Sequence, residues 1–121
     1  MELQAYADSD YASNIESRKS TSGFVLTLGN GPITWASRAQ KTVAQSTTEA
    51  EYIALAECVK DVLWAQQMLR DLELTFKMPT LVNSDNQGAI KLVKNPVYHR
   101  RTKHIDVRHH FNRDEQERNS I

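Results

Sequence analysis

Three carboxylates stand out by where they fall along the 121 residues: Asp8, Glu51 and Asp85. The stretch "ELQAYAD" alternates loosely and reads as a strand with Asp8 at its carboxyl end. In "PTLVNSDNQGAI", Leu81 and Val82 read as a short strand and Ala89, Ile90, Leu92 and Val93 as the apolar face of a short helix. Asp85 falls between them, at the carboxyl end of a strand, where ligands gather in α/β sheets. Glu51 lies in the first turn of a long helix whose start is marked by Ser46 with Glu49 three residues on, a capping box. A right-handed crossover places the two strands side by side, or nearly so, with a shared carboxyl end. The three carboxylates can therefore meet at one edge of the sheet. They cannot all stay charged within a few ångströms of each other without a cation. Oxygen-only ligands select hard ions, hence Mg²⁺ or Mn²⁺. Such ions bind phosphate, and two of them about 3.5–4 Å apart serve phosphodiester hydrolysis. Taken singly, each residue is an ordinary turn or cap residue; the joint placement carries the reading. An aspartate that accepts a phosphoryl group, as in receiver-like folds, is the competing chemistry. It needs a doubly wound parallel sheet, and the opening of this chain speaks against one.

That opening is a meander. "TSGFVLTLG" and "PITWASR" read as strands joined at Gly29-Asn30-Gly31-Pro32, since Gly and Asn tolerate the positive φ of hairpin turns. The helix after Ser46 carries Tyr52, Leu55, Val59, Val62 and Leu69 as a stripe toward the sheet. "FKMPTLVNSD" comes next as a fourth strand parallel to the first. A short helix then stops at Asn95-Pro96. "HRRTKHIDVRHHFNRDEQER" reads as a last helix, with Thr102 or Asp106 as its cap. The order is β-β-β-α-β-α-α in one domain, residues 1–121. A sheet ending on its fourth strand leaves that strand as an exposed edge, so the ending looks abrupt.

Bulk composition sets the frame. An apolar fraction of 40% and a charged fraction of 25% fit a globular domain with a real core. Cys58 stands alone, which excludes an intramolecular disulfide and suits a reducing compartment, with the thiol buried and inert. No apolar run approaches the length of a membrane span, and the N-terminus lacks the features of a signal peptide. The expected location is intracellular and cytoplasmic. Net charge is zero, yet Lys91, Lys94, Arg100, Arg101, Lys103, Arg108 and Arg113 fall in one stretch with Asp106 as its only acid. All four histidines lie there too: His99, His104, His109 and His110. A basic end beside an acidic cluster points to a phosphate-rich partner held near a cation.

"YADSDYASN…RKSTSGFV", "TVAQSTTEAEYIALAE", "SDNQGAI" and "NPVYHRRTKHIDVRHHF" together resemble the ribonuclease H domain of copia-type LTR-retrotransposon polyproteins, from about Leu3 to the C-terminus. The resemblance implies an α/β, ribonuclease H-like mixed sheet flanked by helices, and Mg²⁺- or Mn²⁺-dependent cleavage of the RNA strand of an RNA–DNA hybrid during reverse transcription. It implies a partner reverse transcriptase domain in the same polyprotein, and a location that includes virus-like particles. Of the family's four carboxylates, Asp8, Glu51 and Asp85 match the first three, with Asp10 second choice for the first. The fifth strand and the last helix, which carries the fourth carboxylate, are expected to be missing. Asp106 is a tentative substitute metal ligand, with a helix cap as its alternative role. Other residues take roles by position. Ser46, Thr47, Thr48, Asn86 and Gln87 would read 2′-OH groups. Arg18, Lys19 and Ser20, with Arg100, Arg101 and Lys103, would touch phosphates. The histidines would aid product release or bind zinc. Trp35 and Trp64 are expected in the core. The second reading is a catalytically inactive hybrid-binding or structural remnant of such a domain.

Overall fold

Alternating apolar residues and one long amphipathic helix build a sheet with α1 packed on one face. The computed structural model describes residues 2–29, 31–94 and 104–109. Its elements are β1 (Leu3–Asp10), β2 (Thr21–Leu28), β3 (Gly31–Ala39), α1 (Thr47–Asp71), β4 (Thr80–Ser84), α2 (Gln87–Val93) and β5 (Ile105–His109). The five strands lie in the order β3-β2-β1-β4-β5. β2 pairs antiparallel with both β1 and β3, and the hairpin leaves β2 through Gly29 at φ +64°, a conformation that a Cβ disfavours. β4 pairs parallel with β1, as expected for a strand reached through a crossover helix.

The core keeps to the strand period of two. Leu3, Ala5 and Ala7 of β1, Leu26 of β2, Val82 of β4 and Ile105 and Val107 of β5 turn to the helical side. Leu55, Cys58, Val59, Val62, Ala65 and Leu69 of α1 meet them, with Ala89, Ile90 and Val93 of α2. Each fully buried leucine or valine stabilises the fold by about 1.5–3 kcal/mol. Buried Gln66 of α1 donates to Thr80 Oγ1 at 2.6 Å, tying the helix to the start of β4. α1 ends without a glycine. Glu73 takes φ 58°, its N–H reaches Arg70 O at 2.9 Å, and Leu74 N–H reaches Leu69 O at 2.9 Å. This is a Schellman-type close on a residue for which the left-handed turn is strained.

Three expectations need correction. The sheet has its fifth strand. Ile105–His109 is β5 and not the start of a helix, and it runs parallel to β4. Ile105 and Val107 point into the core while Asp106 and Arg108 point away, a period of two that the short segment also allowed. Pairing with β4 decides the matter, because β4 would otherwise present an open row of backbone donors and acceptors. Trp35 and Trp64 are not core residues: they are 71% and 63% exposed. Trp35 lies on the sheet face opposite α1, beside Val25, which in turn pairs with Tyr6. Trp64 of α1 lines an open hollow with Phe24 of β2 and Thr34, Ala36 and Arg38 of β3. The helix stop at Asn95-Pro96, the cap at Thr102 and any last helix lie outside the described residues. Among the described residues, no helix is long and apolar enough to cross a membrane.

Candidate active site

The crossover brings three acidic positions to one end of the sheet. Ala7 of β1 pairs with Ser84 of β4, so Asp8 and Asp85 each lie one residue beyond the same rung. α1 starts above that end. The Ser46 hydroxyl accepts Glu49 N–H at 3.1 Å, while the Glu49 carboxylate accepts Gln45 N–H at 2.8 Å. This cap sets Glu51 in the first turns, over the end of β1.

Glu51 is only 8% exposed. Its Oε1 accepts the Ser9 hydroxyl at 2.8 Å and the Ser9 amide at 3.3 Å. The same amide donates to Asp8 Oδ1 at 2.9 Å, so one N–H is shared between two carboxylates. Glu51 Oε2 is buried and has no hydrogen-bond partner among the described residues. Burial lifts the Glu51 carboxyl above its ordinary range. The Ser9 hydroxyl opposes that rise, the Asp8 charge adds to it, the Ser9 amide opposes it, and the Asp85 charge adds again. Glu51 thus feels both of the other carboxylates.

The donor set suits a hard divalent cation: all oxygen, mutually repelling, with one buried carboxylate oxygen lacking a donor. Among the described residues, however, no group of three His, Cys, Asp or Glu side chains stands placed to hold a metal ion. The chemistry of the set, three carboxylates brought to one end of the sheet, fits the ion. Beside them a cavity of about 420 Å³ opens on the sheet face opposite α1, lined among others by Tyr6, Asp8, Trp35, Asn83 and Asp85.

The other singled-out residues separate by geometry. Asp10 ends β1 and is exposed, beside Asp8 in a smaller surface hollow. Asp106 is not with the carboxylates. It pairs in register with Leu81, four residues before Asp85, which is about 13 Å along the strand. There it meets Arg108 at 2.8 Å. Strand geometry, which the reading as a helix start missed, removes it from the site.

Asn86 caps α2, its Oδ1 accepting Ala89 N–H at 2.9 Å. Ser46 and Asn86 therefore both serve as helix caps. Thr48 packs toward Gly88, where an added Cβ would stand 3.0 Å from Thr48 Cγ2. Thr47 and Gln87 are exposed on the first turns of their helices. Arg18, at φ 57°, and Lys19 sit in the loop that Asn14 braces between β1 and β2, at the same sheet end as the carboxylates. Ser20 is buried and its hydroxyl accepts Ala12 N–H at 2.9 Å, so it braces that loop from inside. Arg100, Arg101 and Lys103, with His99 and His110, lie outside the described residues. Sequence reasoning did not place two neighbours at the site. His109, at the end of β5, donates from Nε2 to the Asp85 carbonyl at 3.0 Å. Ser9 was legible in principle, since the residue after a strand-ending carboxylate turns to the opposite face, toward the helix.

A mixed sheet in this order, crossed by one long helix and acidic at one end, is the ribonuclease H fold. Solved structures agree. The chain superposes on LC11-RNase H1, crystallised in complex with an RNA/DNA hybrid, with a TM-score of 0.61 at 18% identity, covering 97% of this chain and 90% of that one. The RNase H1 of the halophilic archaeon Halobacterium salinarum NRC-1 gives a TM-score of 0.54 at 18% identity, covering 98% and 91%. No family model matches the chain. The chain is a homologue of retrovirus-related Pol polyproteins of copia-type plant transposons. It is 49% identical over 112 residues to the polyprotein from transposon TNT 1-94 of Nicotiana tabacum. It is 39% identical over 115 residues to that from transposon RE1 of Arabidopsis thaliana. These matches cover 93% and 95% of this chain, which spans about 8% of the length of either polyprotein.

Proposed function

We propose that this domain is a divalent-metal-dependent ribonuclease H that hydrolyses the RNA strand of RNA–DNA hybrids during reverse transcription of a retrotransposon. The observation that carries the reading is the meeting of Asp8, Glu51 and Asp85 at one sheet end, with Glu51 buried there and one of its oxygens unpartnered. The fold shared with a hybrid-bound RNase H1 and the homology to Pol polyproteins support it.

Asp8, Glu51 and Asp85 would hold Mg²⁺ or Mn²⁺, two ions serving best. When bound, such ions supply an activated water and stabilise the leaving oxygen. The chain itself does the rest. The caps at Ser46 and Asn86 fix the helix starts that present Glu51 and succeed Asp85. Exposed Thr47 and Gln87 stand where 2′-OH groups would be read. Arg18 and Lys19 reach phosphates from the loop at the same end. The working setting is inside the cell, with a reverse transcriptase domain in the same polyprotein and, within the element's life cycle, inside virus-like particles.

One observation favours a second reading, a hybrid-binding domain without catalysis: the carboxylates are not drawn into a coordination shell among the described residues. An end-labelled RNA–DNA hybrid, incubated with Mg²⁺ or Mn²⁺ and with EDTA as control, separates the two. The parent chain should cut the RNA strand, and Asp85→Asn should bind the hybrid with cleavage at least about a hundredfold slower. Binding without cleavage by the parent would establish the second reading instead.

A further inference from the structure

Ser9 lies between the two carboxylates that most need holding. Its side chain turns to the α1 face of β1, as the alternation from Leu3, Ala5 and Ala7 requires. There its hydroxyl reaches Glu51 Oε1 at 2.8 Å, a charge-assisted contact across 42 residues of chain. Its amide donates at 2.9 Å to Asp8 Oδ1 and at 3.3 Å to Glu51 Oε1. Both donors therefore fall on one oxygen of Glu51, and Oε2 is left without a partner among the described residues.

We propose that Ser9 is a positioning residue that pins Glu51 by Oε1 and ties it to Asp8, so that Oε2 is held ready for a divalent cation before any cation arrives. The pin works without a metal because one N–H shared by two carboxylates draws like charges together that would otherwise splay apart. Splaying would cost metal affinity twice over, by misdirecting Oε2 and by letting Glu51 seek solvent. Partners of ligating carboxylates typically change metal affinity by about 10–100-fold when removed. Ser9→Ala deletes the hydroxyl and keeps the amide, so its loss belongs at the lower end, about tenfold. Ser9→Thr keeps the hydroxyl on a residue that strands accept.

The inference rests on the proposed metal site, and its test separates the two. Mn²⁺ binding to the 121-residue chain is measured by water-proton relaxation, without substrate, for the parent, Ser9→Ala and Ser9→Thr. The expected result is about tenfold weaker Mn²⁺ binding for Ser9→Ala, with Ser9→Thr close to the parent. Equal affinity of Ser9→Ala and the parent overturns the proposal, and so does an equal loss in both variants. A second measurement uses no metal. Urea unfolding in EDTA of Ser9→Ala, Glu51→Ala and the double variant should show non-additive midpoint shifts. A parent that binds no Mn²⁺ but shows that coupling defeats the metal site and leaves the Ser9 pin standing. Additive shifts defeat the pin.

Discussion

Gly88→Ala tests whether the spacing of the two helix starts is set by contact. Gly88 is the second residue of α2, and its missing Cβ faces the first turns of α1. A Cβ built there would lie 3.0 Å from Thr48 Cγ2, 3.2 Å from Asn86 Oδ1 and 3.6 Å from Thr48 Oγ1. Alanine in place of glycine in a helix gains up to about 1 kcal/mol, and less than that in a first turn. Two costs oppose it. Both branches of Thr48 face the new methyl, so α2 must shift or Thr48 must change rotamer; overpacking of this kind costs about 1–3 kcal/mol. Asn86 Oδ1 is also the cap of α2, and disturbing such a cap costs about 0.5–2 kcal/mol. The costs win, and the net destabilisation is at least about 1 kcal/mol. For a domain of this size that lowers the thermal midpoint by at least about 3–6 °C. Urea unfolding of Gly88→Ala, Thr48→Ser and the double variant measures it. Thr48→Ser removes the atom at 3.0 Å and leaves the Asn86 contact at 3.2 Å, so Gly88→Ala should cost clearly less in that background. A stabilising Gly88→Ala in the presence of Thr48 would refute the reasoning. Because α1 carries Glu51 and α2 begins beside Asp85, hybrid cleavage should fall with stability in the single variant and recover in the double.

Glu51→Gln should change the dependence of stability on pH. Burial, with the charges of Asp8 and Asp85, raises the folded carboxyl above its ordinary value of 4.5 against the two Ser9 donors. The folded state therefore holds more protons than the unfolded state just above that value, and stability falls as pH rises through the window. In EDTA the variant should melt higher than the parent at pH 7, with the gap closing toward about pH 4; a gap that widens on acidification contradicts this. Cys58 should resist thiol reagents in the native state at about pH 8, since burial, with the Asp61 charge, pushes its thiol up to about 12. Its labelling rate should rise only as urea opens the core, and rapid native labelling would place α1 differently. The loss of cleavage in Asp85→Asn and the weaker Mn²⁺ binding of Ser9→Ala complete the set.

Much of this protein is local and therefore legible along the chain. The Ser46–Glu49 pair marks the start of α1, the Gly-Asn-Gly-Pro run marks the β2–β3 turn, and the stripe from Leu55 to Leu69 marks the buried face of the helix. These signals depend on neighbours a few residues apart. The right-handed crossover rule then carries Asp8 and Asp85 to a common edge without any tertiary information. Features set by contacts between distant stretches of sequence were not legible. Ile105–His109 has a pattern too short to separate strand from helix, and only β4, with a row of backbone groups to satisfy, makes it a strand. That pairing also carries Asp106 away from the other carboxylates and places His109 against Asp85. The exposure of Trp35 and Trp64 depends on where α1 lies over the sheet, which no local pattern records. The pin at Ser9 needs β1 and α1 in contact, 42 residues apart. Sequence alone determined which carboxylates share an end of the sheet; tertiary structure decided which neighbours hold them, because those neighbours meet only through packing.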